Sequence, residues 1–118
     1  MQIDFGKLQY QYQLYKEEID KSIHNVLDKS NYIMGEEVSA LEASLEKFTG
    51  SKYAVSCSSG TDALLLAMMA LNIKARDEII TTPFSFISTA ETIACMGAIP
   101  VFVDIDERTF NIDPLKIE

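Results

Sequence analysis

Residues 56–67 read SCSSGTDALLLA, and the fold class turns on what this stretch joins. Before it, KYAV (residues 52–55) reads as a short buried strand; after it, MMAL (68–71) prolongs an apolar helix. Small hydroxyl residues and one glycine, Gly60, thus stand where a strand stops and a helix begins. A helix start carries several unpaired backbone N–H groups and about half a positive charge. Glycine there lets a ligand come close to the backbone, and the hydroxyls of Ser59 and Thr61 add donors. A phosphate fits such a junction. A plainer reading makes Ser59 or Thr61 only an N-cap and Gly60 only the relief of a turn. From these residues alone the plainer reading is preferred. The stretch holds neither the Gly-Lys-Ser/Thr of a Walker motif nor a GxGxxG fingerprint.

Towards the C-terminus the pattern alternates. DEIITTP (77–83) reads as a strand, STAETIACMG (88–97) as a short helix and IPVFVDID (99–106) as a further strand. Ser88 and Glu91 have the spacing of a capping box, with Gly97 beyond the helix end. Strands apolar throughout and separated by helices argue for a parallel sheet covered on both faces, an α/β fold. Ligands of open α/β sheets bind at the C-terminal edge of the strands. TTPFSFISTAETI (81–93) lies at that edge. Phe84 and Phe86 flank Ser85, so one ring is expected in the core and the other towards the crevice, where it could stack on a planar heteroaromatic ligand. Two buried phenylalanines are the simpler alternative.

Towards the N-terminus the sequence reads as helical. Tyr15, Ile19, Ile23 and Val26 share one helix face, and KSNYIMG (29–35) interrupts it. Glu36 and Glu37 open a second helix, with Val38, Leu41, Leu45 and Phe48 as its apolar stripe and Gly50 as its stop. The helix from Ala63 to Leu71 is apolar all round, which normally means burial on every side. So short a chain has little to wrap it with, so another subunit or further chain is expected to cover it.

The 118 residues suffice for one modest domain, and 47% of them are hydrophobic. A formal charge of −8, from 18 acidic and 10 basic residues, argues against nucleic acid or an anionic membrane as partner. No run approaches the ~20 apolar residues of a membrane span, and MQIDFGKLQYQYQLYKEEID lacks an apolar signal core. The two cysteines, Cys57 and Cys95, form no CxxC and fit a reducing cytoplasm. His24 is a lone histidine, read as a surface residue.

Four segments, YIMGEEVSALE (32–42), SCSSGTDALLLAMMAL (56–71), DEIITTPFSFISTAETIACMGAIPVFVDID (77–106) and TFNIDP (109–114), resemble, in this order, the start of the DegT/DnrJ/EryC1/StrS sugar aminotransferases. The resemblance runs from about Asp4 to Pro114. That family implies a pyridoxal 5'-phosphate enzyme of the aspartate-aminotransferase fold. Residues 1–50 would then be an N-terminal helical segment. Residues 51–118 would be the first part of a three-layer, cofactor-binding large domain. TTPFSFISTAETI is especially similar to members that aminate UDP-linked 3-oxo sugars of the 3-oxo-glucuronate type. By the same resemblance Gly60 and Thr61 hold the cofactor phosphate with Ser59 beside them, Phe86 stacks on the pyridine ring, Phe84 falls back to the core, and Tyr32 approaches the nucleotide-sugar.

The family implies further a nucleotide-sugar substrate, an amino donor such as glutamate, and a homodimer. The family's Schiff-base lysine has no counterpart among the eight lysines, so no catalytic residue is assigned and the chain alone is expected to be inactive. Asp104 reads as a strand-end residue, and Asp104, Asp106 and Glu107 as solvated carboxylates rather than a metal site. A sugar dehydratase of the same family, and an inactive fragment or scaffold, are the alternatives. In the family's sheet later strands separate YAVSC (53–57) from the other two, so one of three outcomes is expected: YAVSC paired directly with a new neighbour, which is preferred for an ordered single chain, an oligomer, or a fragment of a longer enzyme.

Overall fold

The computed structural model describes residues 6–117. Asp4, where the resemblance begins, and the first five residues of the segment without a signal core lie outside the described residues. The chain divides into two units, Met1–Ser56 and Cys57–Glu118.

Among the described residues the first unit holds three helices, α1 (Leu8–Leu14), α2 (Lys16–Lys29) and α3 (Glu36–Thr49). The apolar face expected from Tyr15 onward is interrupted at its first member. Tyr15 has φ −113° and ψ 17° and stands between α1 and α2, while Ile19, Ile23 and Val26 lie on α2. Ser30 then turns left-handed, with φ 53°, and ends α2 within the segment expected to interrupt the helix. Glu36 and Glu37 open α3 as expected, and Lys29 meets Glu36 at 2.5 Å. Gly50, left-handed at φ 72°, donates its N–H to Glu46 O and stops α3.

The expected apolar stripe of α3 is not its buried face. Val38, Glu42 and Glu46 are half-buried, whereas Leu41, Leu45 and Phe48 are exposed, Phe48 at 88%. Hydrogen bonding explains this choice. Ala54 N–H donates to Glu46 Oε1 at 3.1 Å, and Ser56 N–H to Glu42 Oε1 at 2.7 Å. Those bonds draw the acidic side of α3 against the segment that follows. They also account for a second correction: KYAVSC forms no strand, and residues 53–57 have no ladder partner among the described residues. Two N–H groups that a ladder would use are committed to carboxylates instead.

The second unit runs α4 (Gly60–Ala70), β1 (Glu78–Thr81), α5 (Ser88–Cys95), β2 (Ile99–Phe102) and a 3-10 turn (Pro114–Lys116). Strands β1 and β2 are parallel, in register from Glu78↔Ile99 to Thr81↔Phe102, and among the described residues they make up the sheet. Helix α5 is the crossover between them and packs on both strands and on α4. The α/β expectation therefore holds, and two of the three expected strands form. The core lies under α5: Ile93, Ala98 and Val103 are buried together with Ser88 and Thr92. Thr92 Oγ1 donates to Ser88 O at 2.8 Å, so its buried hydroxyl is satisfied.

The capping box expected at α5 is absent. Ile87, with φ −53° and ψ −29°, occupies the cap position, and Ser88 is already inside the helix with its side chain buried. Helical backbone at Ile87 starts the helix one residue earlier than the box requires. Gly97 closes α5 as expected, at φ 73°. Its carbonyl accepts from Arg76 N–H at 2.8 Å, and a Cβ built on it would stand 3.2 Å from Ala75 Cβ. Helix α4 has no buried residue; Leu64, Leu66 and Met69 are exposed. Leu65 and Met68 are half-buried, and the rest of its apolar circumference is exposed among the described residues.

Candidate functional site

The junction quoted at the outset is resolved by Ser59. Its backbone is extended, at φ −161° and ψ 166°, and its Oγ accepts the Asp62 N–H at 3.1 Å. Ser59 is thus the N-cap of α4, as the plainer reading has it. Ser58 donates its hydroxyl to the Asp62 carboxylate, and Cys57 Sγ donates to Ser59 O at 3.3 Å. These local bonds fix the turn and leave the next two positions free. Gly60 and Thr61 are the first residues of α4, and their N–H groups find no acceptor among the described residues. A Cβ built on Gly60 meets nothing within 4 Å, so open space lies beside that backbone. Two free N–H groups, the Thr61 hydroxyl and the positive end of an 11-residue helix suit the phosphate of pyridoxal phosphate.

The second cluster is the loop from β1 to α5. Thr82 Oγ1 accepts from Phe84 N–H at 3.2 Å, and the Ser85 and Thr89 hydroxyls lie 3.2 Å apart. Phe84 is not core: it is 62% exposed, and its ring stacks on Phe110 with centroids 5.8 Å apart and planes at 28°. The reason is the turn after β2, which brings a second aromatic ring to it at the surface. Phe86 is 75% exposed and, among the described residues, has no aromatic partner, so a face is free for a planar ligand.

The turn after β2 is organised by Asp106. Its Oδ1 accepts from Thr109 N–H at 2.8 Å, Thr109 Oγ1 at 3.0 Å and Arg108 N–H at 3.1 Å. The Thr109 backbone N–H and hydroxyl, then the Arg108 N–H, hold the Asp106 carboxyl below its ordinary pKa. Asp104 lies exposed two residues past the end of β2, where Lys116 Nζ stands 3.7 Å from it and 3.8 Å from Asp113. Asp106 thus serves the turn and Asp104 an ion pair.

Ser59, Gly60 and Thr61 are brought together at one helix end, and Phe86 lies in a loop of the same unit. Tyr32 belongs to the first unit, exposed between α2 and α3. His24 is exposed on α2, with Nδ1 2.7 Å from Asp20 O. Three residues escaped the sequence reading: Glu42, Glu46 and Phe110. The glutamates recur at a spacing of four on the helix before KYAV, a signal masked by the apolar stripe beside them. Phe110 lay inside TFNIDP without a role.

A parallel β–α–β unit, preceded by a helix with an open, hydroxyl-lined start, is an α/β fold of the kind that receives phosphate-bearing ligands. The chain belongs to the DegT/DnrJ/EryC1/StrS aminotransferase family, whose sequence pattern matches residues 13–118. It is 48% identical over 116 residues to the UDP-2-acetamido-2-deoxy-3-oxo-D-glucuronate aminotransferase of Pseudomonas aeruginosa, covering 98% of this chain and 32% of that protein. Among solved structures, a DegT DnrJ EryC1 StrS aminotransferase from Brucella abortus superposes with a TM-score of 0.92 at 32% identity, over 95% of this chain and 30% of that one. The E. coli GDP-4-keto-6-deoxy-D-mannose-3-dehydratase, solved with bound hydrated PLP, gives a TM-score of 0.73 at 42% identity over 79% of this chain and 25% of its own. The chain spans about a third of the length of the curated relatives it matches.

Proposed function

We propose that these 118 residues are the N-terminal part of a pyridoxal-phosphate-dependent nucleotide-sugar aminotransferase. The reaction moves an amino group, from glutamate, to a UDP- or dTDP-linked keto-sugar for polysaccharide or glycan biosynthesis. The observation that carries this reading is the 48% identity to an aminotransferase acting on a UDP-linked 3-oxo sugar, over 98% of the chain. The free N–H groups of Gly60 and Thr61 and the exposed ring of Phe86 support it. When bound, pyridoxal phosphate supplies the electron sink for nitrogen transfer. Gly60 and Thr61 hold its phosphate, Ser59 shapes the turn around it, and Phe86 orients the pyridine ring by stacking. Tyr32 contacts the nucleotide-sugar. Residues 51–118 begin the cofactor-binding large domain, and the enzyme works as a cytoplasmic homodimer.

The test is incubation of the intact protein with pyridoxal phosphate, glutamate and a UDP-linked 3-oxo sugar, with the product analysed by mass spectrometry. An amino-sugar product with equimolar 2-oxoglutarate supports the reading. The dehydratase alternative rests on the 42% identity to the E. coli 3-dehydratase. A deoxy-keto sugar formed from a 4-keto-6-deoxy substrate would favour it instead.

A further inference from the structure

We propose that Phe110 is a positioning residue for the loop that carries Phe86. The inference rests on the reading of Phe86 as the ring that stacks on the cofactor. Phe110 adopts a left-handed backbone, at φ 58°, which is rare for a bulky residue without a constraint. The constraint is visible on both sides of it. Phe110 N–H donates to Asp106 O at 2.9 Å, Asp106 N–H donates to Asn111 O at 2.9 Å, and Ile105 and Ile112 form an antiparallel bridge around them. The Asp106 carboxylate locks the interior of the same turn through Arg108 and Thr109.

What this turn delivers is a ring against Phe84, two residues before Phe86 in the chain. The stack is not core packing, because Phe84 and Phe110 remain 62% and 59% exposed. Backbone held in a disfavoured region for a half-exposed contact marks a constraint that something else requires. Among the described residues the other bond of Phe84 is local, from its backbone N–H to Thr82 Oγ1, so the Phe110 ring is its long-range tether. Phe110 contacts no reacting atom in this scheme. It acts through Phe84, by fixing the path of residues 82–87 and with it the plane that Phe86 offers.

Glycine accepts a left-handed backbone without strain, so Phe110→Gly keeps the turn and deletes only the ring. Phe110→Tyr keeps the ring. Both are compared with the wild type in the intact protein, by titration of the apoprotein with pyridoxal phosphate and by hydrogen exchange of a peptide covering residues 82–87. Phe110→Gly should weaken cofactor binding about two- to tenfold, the range of one aromatic stack, and speed exchange in that peptide. Phe110→Tyr should match the wild type in both. Wild-type affinity in Phe110→Gly, or unchanged exchange, overturns the proposal. A wild type that takes up no pyridoxal phosphate sinks the cofactor reading, and exchange alone then decides whether Phe110 pins the loop. If Phe110→Gly does not fold, Phe84→Leu removes the same stack from the other side and carries the same expectations.

Discussion

A single oxygen of Glu42, Oε1, accepts both protons that Ser56 offers, the backbone N–H at 2.7 Å and the hydroxyl at 2.6 Å. One turn further along α3, Glu46 accepts the N–H of Ala54. Alternate residues of the segment before α4 are thereby fastened to one helix face. Ala54 and Ser56 are half-buried, whereas Tyr53 and Val55 face solvent. Burial alternates along the segment as in a strand, but side chains rather than a ladder take its N–H groups, and Tyr53 and Val55 are not buried as a buried strand requires.

Because both bonds end on one oxygen, a glutamine carbonyl can accept both. Glu42→Ala should therefore melt at a lower temperature than Glu42→Gln in thermal denaturation of the intact protein. The Ser56 hydroxyl, then its N–H, hold the Glu42 carboxyl below its ordinary value of 4.5. A carboxyl depressed by folding contributes stability that is complete above its unfolded pKa and is lost as pH falls through the folded one. Wild type should lose this contribution as pH falls below the ordinary value of 4.5, while Glu42→Gln should lack that part of the acid dependence. Identical acid limbs for the two proteins would contradict the assignment.

Ser59 gives a prediction that separates capping from ligand binding. Ser59→Ala removes the acceptor for Asp62 N–H and should cost about 1 kcal/mol of stability, and Ser59→Gly only a few tenths. Ser59→Asp preserves the cap but brings a negative charge to the phosphate position. It should keep wild-type stability in denaturant titration yet bind pyridoxal phosphate more weakly. Wild-type binding by Ser59→Asp would remove the phosphate from this helix end.

Thr61→Ala deletes a donor to a dianion. Charge-assisted hydrogen bonds contribute about 1.5–3 kcal/mol, so cofactor affinity should fall roughly ten- to a hundredfold. Phe86→Ala should weaken it by about two- to tenfold, through lost stacking. Equilibrium titration followed by absorbance reads both. A Thr61→Ala protein with unchanged affinity would reduce Thr61 to a helix residue without a ligand.

Cofactor trapped with borohydride in the intact protein should map to none of the eight lysines of this sequence. Peptide mass spectrometry that finds the label on any of them would assign a catalytic residue where none is expected.

The α/β class was legible because β1, α5 and β2 each carry a local signal: two short apolar runs, with a helix between them and Gly97 at its end. What was not legible depended on partners distant in sequence. KYAVSC has strand composition, and nothing local reveals that Glu42 and Glu46 take its N–H groups. Phe84 looks like core until Phe110, 26 positions later, meets it at the surface. The start of α4 was readable since a helix start is a local object: Ser59, Gly60 and Thr61 are consecutive, and Ser59 caps it.

Gly97 answers to two requirements at once, a φ of 73° and only 3.2 Å between a built Cβ and Ala75 Cβ. Asparagine tolerates the first but not the second. Trimming Ala75 to glycine relieves the second but not the first. A single replacement leaves one of the two unmet; Gly97→Asn together with Ala75→Gly meets both. In a saturation library screened for folded protein, position 97 should return glycine almost alone, even on a background already stabilised elsewhere. The crossover helix thus ends at a point that sequence drift can leave only by two changes made together.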